Sequence, residues 1–211
     1  LTTFIRYPSF INLMGTRLLM IPKAQAGPFQ SLGERYEVLA DENGSFAFHN
    51  KEALPRCFLV HNLAVVRDGE EAFTKVRDNE VECSDVVILE EIVPESVVVE
   101  EPSVEEEPPR ILEYAPEEVV IEADPRAGAF LVLTDAFYPG WKAYDNGTEI
   151  KIYAADYLFR AIYLSPGKHV VRFSYQPASF TWGAAISLAG VTVVAALGVA
   201  WITRRFRKAN L

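Results

Sequence analysis

From residue 128 to residue 177, apolar and polar positions alternate in short runs separated by turn residues. Residues 129–134, AFLVLT, form an apolar run of strand length, and the Pro139-Gly140 pair after Asp135 marks a turn. Residues 141–144, WKAY, lead into Asp145-Asn146-Gly147, a hairpin signal because Asn and Gly tolerate positive φ. Residues 149–153, EIKIY, alternate again. Residues 158–164 form a further strand, and Ser165-Pro166-Gly167-Lys168 turns it into 169–175. Antiparallel strands spaced this closely predict a β-sandwich. In the earlier half, residues 36–39 and 45–48 flank a second hairpin turn at 41–44, and 56–60 and 64–66 have strand character. Residues 69–76, GEEAFTKV, are the clear helical stretch, with Phe73 and Val76 on one face. The expected fold class is therefore mainly β, an antiparallel β-sandwich-like domain over residues 18–177.

A different pattern follows. Between Arg172 and Arg204 lie 31 consecutive residues without a charge, and 182–202 read WGAAISLAGVTVVAALGVAWI. At 1.5 Å rise per residue these span about 30 Å, the thickness of a bilayer's hydrocarbon core. Trp182 and Trp201 stand near its two ends, where indoles prefer the headgroup level. A buried core helix is the bland alternative, but such helices rarely run so long without a polar face. A transmembrane helix at 180–203 is expected, followed by a basic tail at 204–211. Arg204, Arg205, Arg207 and Lys208 in that tail put it in the cytoplasm and the β domain outside. Gly183, Ser187, Gly190, Val194 and Gly198 share a helix face on which another helix could pack closely.

Composition narrows the function classes. With 50% hydrophobic residues the chain is not globally disordered. At net charge −9 it is a poor nucleic-acid binder, and the part before the basic tail is more acidic still, with 16 basic against 29 acidic residues. Residues 80–124 hold 16 of those acids and one base, Arg110, and residues 100–109 are expected to be an exposed, mobile acidic loop. Clustered carboxylates suit calcium, but no Asp-x-Asp ligand spacing is present, so no metal or other cofactor is expected. Cys57 and Cys83 are too few for a zinc site or a disulfide framework and are expected to be unpaired. The sequons at Asn43 and Asn146 coincide with hairpin turns that need Asn-Gly in any case. No catalytic constellation is expected in these residues.

One cluster has candidate chemistry. Asp135, Tyr138, Trp141 and Lys142, with Tyr144 close by, lie within ten residues of one another in and after a turn. Aromatic rings beside polar groups can stack on sugars and bond their hydroxyls, which makes these residues candidates for carbohydrate contact. In the competing reading Tyr138 and Trp141 fill the core and Asp135 holds the turn. Arg160, in an apolar strand, needs a carboxylate partner if buried, and Asp135 or Asp156 could supply it.

Three blocks carry a family resemblance: residues 131–144 (LVLTDAFYPGWKAY), 152–161 (IYAADYLFRA) and 166–177 (PGKHVVRFSYQP), followed by a final apolar helix. In this order they closely resemble the C-terminal region of the YfhO-like bacterial membrane proteins. Residues 12–19 (NLMGTRLL), 36–39, 46–50 (FAFHN) and 53–59 (ALPRCFL) are similar to the family's preceding segments. Asp156 stands where the family's strand usually has Asn, Thr16-Arg17 replaces a more apolar pair, and the acidic 100–109 loop has no recognised equivalent.

The resemblance implies a polytopic membrane protein of the GT-C glycosyltransferase type. Such proteins transfer sugar from a polyprenyl-phosphate carrier to a cell-envelope acceptor, with their acidic catalytic residues in early outer loops. The chain starts at Leu1 rather than Met, and a piece of such a protein is expected, with residues 1–17 linking it to a preceding membrane region. The implied location is the bacterial cytoplasmic membrane. The implied partners are the parent's other transmembrane helices, membrane lipid, and a polyprenyl-phosphate sugar or envelope glycan, with no nucleic acid. The alternative is a membrane-tethered surface binding or assembly domain without a catalytic role.

Overall fold

Among the described residues, 7–209 of a computed structural model, the chain forms fourteen strands in three sheets. The first six residues of the expected linker and the last two of the basic tail lie outside the described residues. Helix α1 (Pro8–Leu13) starts with proline, whose missing N–H is no loss at a helix N-terminus. Phe10 and Leu13 of α1 are buried in the interior of the domain, so residues read as a linker help to build it. Strands β1 (Leu18–Pro22), β2 (Tyr36–Glu42) and β3 (Ser45–Asn50) make a small sheet in the order β1-β3-β2. The short helix α2 (Gly27–Gln30) brings Phe29 against Tyr36 and Phe48 to close that sheet's own core.

The next strands, β4 (Cys57–Val60) and β5 (Asn62–Val65), lead to helix α3 (Gly69–Arg77) and then to β6 (Val86–Leu89). Asp68 caps α3 by accepting from the Glu71 N–H at 2.9 Å. Strands β5 and β6 are parallel, which the crossover through α3 makes possible. All other strand pairs among the described residues are antiparallel.

The remaining strands are β7 (Arg110–Ala115), β8 (Glu118–Ala123), β9 (Ala129–Leu133), β10 (Trp141–Asp145), β11 (Thr148–Ile150), β12 (Tyr153–Ala155), β13 (Phe159–Leu164) and β14 (His169–Tyr175). They complete a five-stranded sheet, β11-β10-β14-β8-β7, and a six-stranded sheet, β4-β9-β13-β12-β6-β5. The stretch 149–153 is not one strand: β11 and β12 belong to different sheets, and the chain crosses between them at residues 151–152.

Side chains alternate across each strand, so β9, buried along its whole length, serves two cores. Leu131 and Leu133 join Val119, Ile121, Ala143, Val171 and Phe173 between the two large sheets. Phe130 and Val132 face the opposite way, toward α1 and α3 with Phe10, Ala72 and Val76. Both predicted hairpins form, with left-handed φ at Asn43 and Gly44 (51° and 78°) and at Asn146 and Gly147 (48° and 87°).

The acidic loop is pinned rather than loose. Glu106 Oε1 lies 2.6 Å from His61 Nε2, Glu106 Oε2 accepts from the Arg126 N–H at 3.0 Å, and Asn62 Nδ2 donates to Glu101 at 2.6 Å. The Glu100 N–H donates to the Gly128 carbonyl. A Cβ on Gly128 would meet the Val98 carbonyl oxygen at 1.9 Å, so glycine is what allows the segment before the loop to lie against β9.

After β14, helix α4 (Ala178–Ala209) leaves the domain. Its stretch Ala178–Val199 is long and apolar enough to cross a membrane, and none of its described side chains is buried in this chain's own fold. Phe180, Trp182, Ile186, Leu188, Val191 and Val194 are each at least two-thirds exposed. That exposure sets α4 apart from a core helix of this domain, which the described residues would cover. The side chains of the basic cluster after Trp201 lie outside the described ones.

Candidate functional site at the helix-bearing end of the sandwich

Pairing registers place one set of residues at a single end of the sandwich. Leu133, the last residue of β9, pairs with Arg160 near the start of β13, and Trp141 at the start of β10 pairs with Tyr175 at the end of β14. Asp135 follows β9, in a loop tied to β4 where Thr134 donates twice to the Arg56 carbonyl, from N–H and Oγ1. Tyr114 arrives from the end of β7.

Asp135 is the hub. Its Oδ1 accepts from Arg56 Nη1 at 3.0 Å and from the Tyr114 hydroxyl at 2.9 Å, and its Oδ2 accepts from Arg160 Nη2 at 3.0 Å. Arg160 projects between the sheets because its position on β13 alternates with Phe159 and Ala161, which face the other core. Its guanidinium lies 3.8 Å from the Trp141 ring centroid and 5.3 Å from that of Phe173. Only 2% of Arg160 is exposed, and Nε and Nη1 lack hydrogen-bond partners, so the indole face and Asp135 carry its charge. Burial pulls the Arg160 pKa below its ordinary value, and Asp135 opposes that shift. Burial also pushes the Tyr114 hydroxyl up, reinforced by its bond to the Asp135 carboxylate.

Above this network lies an open depression of about 400 Å³, lined by Tyr114, Asp135, Tyr138, Trp141, Arg160 and Tyr175 among others. Three of the four candidate carbohydrate-contact residues therefore converge. Lys142 does not. It neighbours Trp141 on a strand, so it faces the outer surface of the sheet, where it pairs with Glu149 at 3.1 Å. Tyr144 shares that outer face and takes the Arg172 guanidinium over its ring at 4.7 Å.

Of the two carboxylates offered to Arg160, Asp135 is the partner. Asp156 instead lies fully buried in the turn between β12 and β13, where its Oδ1 accepts from the Ile88 N–H at 2.8 Å. Sequence reasoning missed Arg56, Tyr114 and Tyr175. Arg56 and Tyr114 lie 79 and 21 residues from Asp135, and nothing local marks them as its partners. Tyr138, taken in one reading for a core residue, is 61% exposed.

Chemically, the depression offers aromatic faces and a hydroxyl-bearing rim above a neutralised Arg–Asp pair. Such a surface suits stacking and hydrogen bonding to a polyol. The two thiols take no part. Cys57 and Cys83 are free and buried, and burial lifts the Cys57 thiol to about 11 and the Cys83 thiol higher still. Neither is expected to react with a maleimide at pH 7 in the folded chain, and both should label once denaturant opens the cores. Rapid labelling of the native chain would contradict the packing described.

A β-sandwich domain carried on a bare, membrane-length helix is the class these features define. Residues 95–187 match the family model described as bacterial membrane protein YfhO, and this stretch is a YfhO-like membrane protein region. It runs from before β7 into the first turns of α4 and holds every residue of the cluster except Arg56. Comparison with curated proteins and with solved structures gives no match.

Proposed function

We propose that the chain is the extracytoplasmic accessory domain and last helix of a polytopic membrane glycosyltransferase, with transfer chemistry carried out by the parent's preceding membrane region. The donor would be a polyprenyl-phosphate sugar and the acceptor a cell-envelope glycan positioned by the β domain. One observation carries this reading: the Tyr138–Trp141–Tyr175 depression opens beside the start of the membrane-length helix, within the region that matches YfhO. An acceptor held there would lie near the membrane surface, where a lipid-linked donor presents its sugar. The basic residues at the C-terminal end of α4 support a cytoplasmic C-terminus and an outward-facing domain.

The test is a titration of the full chain in nanodiscs with envelope glycans, following tryptophan fluorescence. A saturable shift that disappears in Trp141→Phe is expected. No shift with any envelope glycan, while Trp141→Phe stays folded, would overturn glycan contact. The second reading, an assembly domain without substrate contact, is favoured by a specific feature. Asp135 bonds β4, β7 and β13 together through Arg56, Tyr114 and Arg160, as a structural latch would.

A further inference from the structure

The loop after Asp135 and the turn between β12 and β13 lie side by side, joined by the Phe137 N–H donating to the Leu158 carbonyl at 2.8 Å. Together they expose Phe137 (46%), Tyr138 (61%) and Leu158 (37%), while the neighbouring Tyr157 ring packs on Phe73 and Phe10. Tyr138 in turn touches the Tyr175 ring, at 6.5 Å between centroids, and the Gln176 N–H donates to the Gly140 carbonyl at 2.6 Å. Helix α4 begins at Ala178, three residues after Tyr175 and so within about 10 Å of it along the chain. The aromatic patch is thus continuous with the root of the membrane-length helix.

We propose that this patch is a membrane-docking surface: Phe137, Tyr138 and Leu158 sit in the headgroup layer of the bilayer crossed by α4. Aromatic side chains with one polar edge prefer that layer, and aliphatic ones beside them bury the remaining apolar area. The Asp135 carboxylate at this end is paired with two guanidiniums, those of Arg56 and Arg160, so the rim of the depression brings no unpaired carboxylate of its own to a lipid surface. The acidic loop is fixed elsewhere: Glu100 binds the Gly128 carbonyl, which precedes β9, whereas Asp135 follows that strand. Docking would fix the tilt of the domain on its helix and set the 400 Å³ depression at headgroup depth. The inference goes beyond the glycosyltransferase reading and holds whether or not a glycan binds.

The test places a bimane fluorophore at Phe137→Cys, or separately at Leu158→Cys, in the full chain reconstituted in phosphatidylcholine nanodiscs containing a lipid with a nitroxide near its headgroup. Lys168→Cys serves as the reference. It lies in the turn before β14, about 20 Å along that strand from Tyr175. The buried native thiols stay unlabelled. Quenching several-fold stronger at residues 137 and 158 than at 168 is expected. Equally weak quenching at all three positions overturns the proposal. No glycan is added, so this result and that of the fluorescence titration stand independently.

Discussion

Replacing Asp135 by alanine is expected to cost the folded domain about 3–5 kcal/mol, the range found when one partner of a buried ion pair is removed. Arg160 cannot escape to water: it is 2% exposed, and two of its nitrogens already lack partners. Asp135 also accepts from Arg56 and Tyr114, so the same change unties β4 and β7 from β13. The measurement is the urea midpoint of the full chain in detergent micelles, followed by the ellipticity of the β-sheet. Asp135→Asn keeps the acceptor oxygen but loses the charge, and should fall between wild type and Asp135→Ala. Combining Asp135→Ala with Arg160→Met should recover part of the loss, because an apolar side chain against Trp141 needs no counter-charge. A loss below about 1 kcal/mol in Asp135→Ala would mean that the latch stores no appreciable stability, as is usual for exposed pairs.

The second large effect concerns pH. Asp156 is fully buried, with Oδ2 unpartnered, and burial raises its pKa to about 7 against the one opposing bond from the Ile88 N–H. In the unfolded chain the carboxyl ionises near 4. Between these values the folded state binds the extra proton, so stability falls as pH rises and levels off above about 7. At 1.36 kcal/mol per pKa unit the whole contribution is about 4 kcal/mol. Asp156→Asn mimics the protonated acid, keeps an acceptor for the Ile88 N–H, and tolerates the left-handed φ of 50° at this position. The variant is therefore expected to match wild type near pH 4 and to exceed it by several kcal/mol at pH 8. Parallel unfolding midpoints for the two proteins from pH 4 to pH 8 would contradict this account.

How far the sequence could be read depended on the distance over which each feature is determined. Asn43-Gly44 and Asn146-Gly147 announce their hairpins because positive φ is a property of the residues themselves. Helix α3 shows in the spacing of Phe73 and Val76, and the apolar run of β9 shows in its composition. The candidate site was only partly visible. Asp135, Tyr138 and Trp141 are neighbours in the chain and proved neighbours in space, whereas Lys142 was carried away by the two-residue period of the strand it shares with Trp141. Residues 149–153 show the same limit: their alternation suits either sheet, and only packing assigned β11 to one and β12 to the other.

The sequence by itself determined the turns, the mainly β character, the helix long enough for a bilayer and the resemblance that residues 95–187 bear out. These features follow from local backbone preference and from runs of side chains that water rejects, both of which act over a few residues. The tertiary structure alone decided that Arg160 would find Asp135 rather than Asp156, and that Arg56 and Tyr114 would join them. It also decided that the aromatic rim would stand at the root of α4. Each of those outcomes depends on strand order and register across sheets, and the residues that fix them lie tens of positions apart.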